Sequence, residues 1–380
     1  YVEVAIGIYA IFFDVVFKRF IDFSQNYVIP SISNPVSIDV YRVISASFLI
    51  LPQVILLGAT FPLISSFLLR ANVSKSGKIF SNLYFTNTLG GCAGIFLSGF
   101  VLLDYVGLSE TIYLAGVLNV FIALLFKFFV LNKLEEGSIF PYTKEKSNFI
   151  SENEEIFLLI FIAFLTGLSS FVYEICWIRM LSLVFGSSVH SFEIMLFSFL
   201  LGLAMGGFYI RNRIDNLSYD ISYLASIQIL MGLFAVFTLP LYNISFDLFQ
   251  FFYKSLPKNE MGYHLYNFFT QSISILIMFP ATFFAGMTLP LITNHLVKNG
   301  YGEKTIGYVY GANTIGAIIG IVITINILFP ITGLKDSLII GALIDILIGF
   351  ELILKYRYQR GIVFKKKYIV FSSAFTLLIL

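Results

Sequence analysis

The sequence predicts an all-α polytopic membrane protein built of two parallel six-helix repeats, the first truncated at its N-terminus. Three observations predict it. Hydrophobic residues make up 58% of the chain and charged residues 12%, with a mean hydropathy of +0.88, whereas a water-soluble domain carries roughly 25% charge. Apolar runs long enough to cross a bilayer recur along the chain. Blocks near the start reappear in the same order near the end. The net charge of +2 is too small to point to nucleic acid. Cys92 and Cys176 lie singly in apolar stretches without metal-ligand spacing, so both read as packing residues. No cofactor or metal site is expected in this chain.

A membrane helix needs roughly 20 apolar residues. Candidate runs lie at 1–17, 39–69, 79–103, 109–131, 156–180, 185–210, 220–243, 268–297, 305–329 and 335–354. An eleventh run, 368–380, has 13 residues and is too short to span. The first residue is Tyr1 and no signal peptide precedes the first run, so the numbering is expected to start inside a longer protein. The one long polar stretch, 132–155, reads as a linker between two helical blocks. With that linker in the cytoplasm, alternate loops are internal and hold 17 of the 24 Lys and Arg residues. The positive-inside rule favours this orientation, which puts Tyr1 on the cytoplasmic side.

The repeat is read from four blocks. "PQVILLGATFPLI" (52–64) matches "PATFFAGMTLPLI" (280–292) at an offset of 228, and "YFTNTLGGCAGI" (84–95) matches "YGANTIGAIIGI" (310–321) at 226. "GLSE" (107–110) pairs with "GLKD" (333–336), and "EVAIGIYAIF" (3–12) with "QILMGLFAVF" (228–237) at 225. The expected domains are the last four helices of a first repeat (1–131), a cytoplasmic linker (132–155), a second repeat of six helices (156–356), and a basic loop with the start of a further helix (357–380). Two helices of the first repeat are expected upstream of Tyr1. Six plus six helices in parallel copies resemble the major facilitator transporters.

Both copies carry paired prolines inside a long run, Pro52 with Pro62 and Pro280 with Pro290. An interior Pro removes a backbone hydrogen bond, so these are expected to kink or break their helices. Gly58 with Thr60, and Gly286 with Thr288, lie between them, and the Thr hydroxyls can satisfy freed carbonyls. Such kinks in corresponding helices mark either a moving, cavity-lining element or a packing feature. Gly90 with Gly94, and Gly316 with Gly320, are spaced four apart and let a neighbouring helix approach. Asn87 and Asn313 occupy matching positions, each expected to bond across helices inside the bundle.

The string "FLTGLSSFVYEICWIRMLSLVFGSSVHSFEIMLFSFLLGLAMGGFYIRNRID" (164–215) resembles the membrane region of a bacterial and archaeal family. In that family a transporter-like domain is fused to a spermidine synthase-like domain. Tyr173, Glu174, Trp177, Arg179, Gly186, Ser188, Phe199, Gly202, Leu203 and Gly206 carry the likeness. His190 and Glu193 depart from the family pattern. The repeated proline and Asn blocks extend the resemblance over nearly the whole chain. The stretch ending in Arg211, Arg213 and Asp215 also looks like the short cytoplasmic loop after the second helix of a facilitator half, which holds one conformation of the bundle. The resemblance implies a multi-pass prokaryotic plasma-membrane protein and an aminopropyltransferase domain beyond Leu380. No strand-turn-helix nucleotide motif occurs within the chain, so no catalytic centre is expected in it.

Three functions follow as expectations: the membrane half of a fused synthase-like protein linked to polyamine synthesis, a free-standing transporter of a polyamine or small metabolite, or a non-transporting anchor. The partners expected are the bilayer, a fused synthase-like domain and an unspecified small molecule. A carrier of diamines needs countercharges inside the bundle. The acidic candidates are Asp14, Glu174, Glu193, Asp345 and Glu351. Glu351 reads as a surface pair with Lys355, and Asp345 aligns with Asn119, a position that dispenses with charge in the other copy. Arg179 is expected near the outer water boundary, with Glu174 about 7.5 Å deeper and facing the bundle and Trp177 at the membrane interface. Glu174, Arg179, Tyr173 and Trp177 are therefore the candidate membrane-embedded functional residues.

Overall fold

The computed structural model describes residues 1–71, 76–131, 154–217 and 219–359. Residues 132–153 of the predicted linker and 360–380 of the predicted basic loop lie outside them. Among the described residues every regular element is helical, and eight runs are long and apolar enough to cross a membrane. The described residues are all-helical, and the chain is a multi-pass integral membrane protein whose apolar helices meet lipid.

Helices α1 (Val2–Phe23), α2 (Pro35–Ala71), α3 (Ser76–Leu97) and α4 (Leu108–Phe126) precede the linker. After it come α5 (Glu154–Phe185), α6 (Val189–Ile210), α7 (Asp220–Ser255), α8 (Glu260–Lys298), α9 (Lys304–Ile323) and α10 (Phe329–Gln359). Each of the ten predicted runs has its own helix, although 79–103, 109–131 and 305–329 continue past the ends of α3, α4 and α9 into turns of π-helix. Beyond the eight spans, α1 is also largely apolar but carries Glu3, Asp14, Lys18 and Arg19, and the last span, Lys304–Lys355, holds both α9 and α10. Helices outrun their apolar windows: α7 continues to Ser255 and α8 begins at Glu260, where Asn259 Oδ1 accepts the Gly262 amide at 2.9 Å. Hydropathy marks the stretch lipid covers, whereas the end of a helix is set by its caps.

The paired prolines do not break their helices. Both α2 and α8 run on through them. Thr60 Oγ1 donates to Leu57 O and Thr288 Oγ1 to Ala285 O, each at 2.7 Å, which binds a carbonyl in the turn ahead of the second proline.

Two compact units partition the chain. Among the described residues, one comprises 1–64 and 97–131; the other comprises 65–71, 76–96, 154–217 and 219–359. In the first unit α1 crosses α4 where Gly7 meets Gly116: a Cβ at Gly7 would lie 2.6 Å from Gly116 O. In the second unit three crossings rely on glycine. Gly202 and Gly206 of α6 meet Thr282, Phe283 and Gly286 of α8; Gly316 and Gly320 of α9 meet Phe164 and Leu168 of α5; and Gly232 of α7 meets Ala342 of α10. Between lipid-solvated helices the driving force is close van der Waals contact, which small residues permit. Helix α3 joins this unit through α6, with Phe85 and Phe208 ring centroids 4.9 Å apart.

Features recur at the offsets of the sequence blocks. Gly7 on Gly116 O and Gly232 on Ala342 O make the same 2.6 Å approach. Turns of π-helix occupy Ser98–Leu102 and Thr324–Leu328. Gly107 (φ 83°) and Gly333 (φ 76°) follow them in the left-handed region, where a side chain is strained. The environments of other matched residues differ. Asn313 Nδ2 donates to Ala163 O at 3.1 Å across α5 and α9, as expected of an interhelical bond. Asn87, by contrast, is exposed and makes no hydrogen bond among the described residues, because none of the described helices of its own unit packs on that face of α3; Gly90 and Gly94 have nothing within 4 Å of an added Cβ.

Candidate functional site: a polar seam and a capped helix end

Thr166, Ser169, Tyr173 and Trp177 fall on one stripe of α5, spaced by three and then four residues. All four are buried. The stripe faces α7 and α10 and finds a polar partner at each level. Gln228 Nε2 donates to Thr166 Oγ1 at 2.6 Å, Ser169 Oγ donates to Asp345 Oδ1 at 2.8 Å, and the Tyr173 hydroxyl donates to Asp345 Oδ2. Trp177 Nε1 donates to Thr238 Oγ1 at 3.0 Å, with its ring tilted against Tyr173 at 5.5 Å. Asp345, at 0% exposure, is the centre of this seam.

Tyr173 and Trp177 of the resembling string thus lie inside the bundle; Trp177 is not at the expected membrane interface, because its ring packs on Tyr173 and its N–H is satisfied by Thr238 of α7 rather than by water. Glu174 is also buried, at 7% exposure, and has no hydrogen-bond partner among the described residues. Arg179 is exposed and lines an open groove of about 480 Å³ with Gly186, Ser188 and Ser191. Beside it Gly186 (φ 88°) turns the chain and Ser188 Oγ caps α6 by accepting the Ser191 amide at 3.0 Å. His190 Nδ1 and Glu193 Oε2 are 3.2 Å apart, a local pair on α6. Asp14 pairs with Lys18 at 2.7 Å on α1. Glu351 is not a surface residue: at 3% exposure it is buried, because the last turns of α10 still pack on α7, where Gly349 meets Ala225 and Ile229.

A second cluster gathers where α5 and α7 begin and α8 ends. Asp215, in the loop between α6 and α7, reaches the start of α3: its carboxylate accepts the Gly77 amide at 2.9 Å and the Lys78 amide at 3.1 Å. A carboxylate there satisfies free N–H groups and opposes the positive helix end. Ser76 Oγ donates to Asn294 Oδ1 at 3.1 Å beside it, and a Cβ at Gly77 would crowd both acceptors, lying 2.7 Å from Asp215 Oδ1 and 2.6 Å from Asn294 Oδ1. Arg211 stacks on Phe208 and Arg213 on Tyr209, at 3.8 and 3.9 Å from the ring centroids. His295 lies between two carboxylates, Nδ1 2.8 Å from Asp220 Oδ2 and Nε2 3.1 Å from Glu155 Oε1. A protonated imidazole has a donor for each.

Asp215→Ala is expected to free both amides of α3 and to cost about 1–2 kcal/mol, with Asp215→Asn the milder change. Hydrogen exchange at residues 77 and 78 measures it; equal protection in wild type and Asp215→Ala would remove the cap from the account.

Sequence reading named Tyr173 and Trp177 but missed Thr166 and Ser169 of the stripe and the partners across from it. Asp345, Gln228, Thr238, Asn294, His295, Asp220 and Glu155 carry no local motif. The spacing of Thr166, Ser169, Tyr173 and Trp177 was the available signal, a polar line at helical period within an apolar run. No known protein-family model, curated protein or solved structure matches this chain.

Proposed function

We propose that this chain is the major-facilitator-like membrane domain of a fused spermidine synthase-like protein of a prokaryotic plasma membrane, with its first six-helix repeat truncated, and that it handles a polyamine or related cation. The observation that carries the reading is the burial of acid in the second unit. Glu174, Asp345 and Glu351 are all at or below 7% exposure in membrane-spanning helices, and intramembrane carboxylates mark cation or proton pathways. Three further features support the architecture: the glycine crossing, the π-turn and the left-handed glycine that recur at the repeat offset. The cap of Asp215 on α3 supports the likeness of its loop to the conformation-holding loop of facilitator transporters. The aminopropyltransferase chemistry belongs, on this proposal, to a domain encoded after Leu380.

The test is uptake of labelled putrescine by liposomes holding the full chain. Wild type is expected to accumulate it, and Glu174→Gln, which keeps shape but removes the charge, is expected to lose at least tenfold at normal expression. Wild-type liposomes no better than empty ones would end the carrier reading and leave an anchor. The coding sequence after Leu380 decides the fusion separately: a stop codon there would replace it with a free-standing transporter.

A further inference from the structure

We infer that Asp345 is a reversible proton-binding site whose two protonation states are both accommodated by re-aiming the Ser169 hydroxyl. Asp345 is fully buried in a membrane-spanning helix, and among the described residues no Lys, Arg or His lies within ion-pair distance of it. An unpaired carboxylate in such a place needs hydrogen-bond donors, and a protonated carboxyl needs an acceptor. Ser169 supplies either. Its oxygen is 2.8 Å from Asp345 Oδ1 and 3.1 Å from Thr166 O. A hydroxyl has one proton: aimed at Asp345 it satisfies the carboxylate, and aimed at Thr166 O it leaves the Ser169 lone pair to accept from a protonated Asp345. Tyr173 holds the other carboxylate oxygen in both states. The titratable groups facing the seam are Tyr173 and Cys176 from α5, while α7 contributes the uncharged Gln228 and Thr238.

Binding is simple addition: a proton from water joins one Asp345 oxygen, and the Ser169 hydroxyl rotates. A proton is the ligand that asks for nothing more than that rotation, since both carboxylate oxygens already have protein partners. The use of this proton, as the ion that drives or accompanies cation movement, rests on the carrier reading. The proton site itself does not, because it is measured on the isolated protein.

The experiment is infrared difference spectroscopy of the purified full chain in detergent, titrated from mildly acidic to mildly alkaline pH. A carbonyl stretch of a buried protonated carboxyl is expected to disappear as pH rises, and that titrating band is expected to be missing in Asp345→Asn. Tyr173→Phe, which keeps Asp345 but removes one hydrogen bond, is expected to keep the band and move it to higher frequency. Ser169→Ala is expected to shift the pH at which it disappears, since the group serving both states is gone. These two variants carry the test if Asp345→Asn does not fold. A titrating band that survives in Asp345→Asn, one that neither Tyr173→Phe nor Ser169→Ala alters, or one that follows sodium concentration at fixed pH would overturn the inference.

Discussion

Gly286→Leu is expected to prevent the α6–α8 pair from forming, whereas Gly58→Leu, its counterpart in the first copy, is expected to leave the protein folded. A Cβ at Gly286 would overlap the Leu203 carbonyl, a backbone atom that cannot move without displacing α6. Overpacking a close contact costs roughly 1–3 kcal/mol, more where backbone meets backbone. At Gly58 nothing lies within 4 Å of an added Cβ, so the leucine enters free space. Size-exclusion chromatography in detergent and thermal unfolding read the difference. Trp177, the only tryptophan, makes intrinsic fluorescence a reporter of the second unit in both variants. Equal behaviour of the two leucine variants would refute the close crossing.

The second large effect is at Trp177 itself. Trp177→Ala is expected to destabilise the second unit by about 3 kcal/mol, the low end for Trp-to-Ala in a core. Lipid lowers the transfer contribution, because an unfolded segment in a bilayer is already among apolar chains. The cavity contribution stays: Trp177 is 1% exposed and packed by Tyr173 and α7. Trp177→Phe keeps most of the volume and loses the bond to Thr238, whose hydroxyl still donates to Ala235 O at 2.6 Å. Its cost is expected near 1 kcal/mol. Circular dichroism follows both variants, and an alanine variant no less stable than the phenylalanine one would show that the ring does not fill the seam.

Much of the fold was legible because a bilayer imposes a local rule. Twenty apolar residues must coincide with a helix whatever the rest of the chain does, so all ten runs could be read from composition and length. The helix ends were less legible: nothing in hydropathy stops α7 at residue 243 when the chain beyond it still favours helix, and Asn259 with its cap sets the next start. The prolines misled for a related reason. A missing N–H is expected to break or kink a helix, but α2 and α8 run on through their prolines, each with a threonine two residues before the second proline bonded to the carbonyl three residues back.

The candidate site divides in the same way. Tyr173, Glu174 and Trp177 could be singled out from their string and Glu174 assigned to the inward side of α5, but the sequence predicts an interfacial Trp177, which the structure instead buries against Thr238. Asp345 could not. Aligned with Asn119 it looked dispensable, and its partners are 172 and 176 residues away in sequence. Those contacts depend on α10 packing directly on α5, where a Cβ at Gly341 would lie 2.9 Å from the Tyr173 ring, and not on any neighbour in sequence. Asn87 and Asn313 show the point most simply. Their local sequences are nearly the same, yet one bonds Ala163 and the other is exposed, since the sequence determined the residue on the helix face and only the packing of a second helix against it decided whether that residue had a partner.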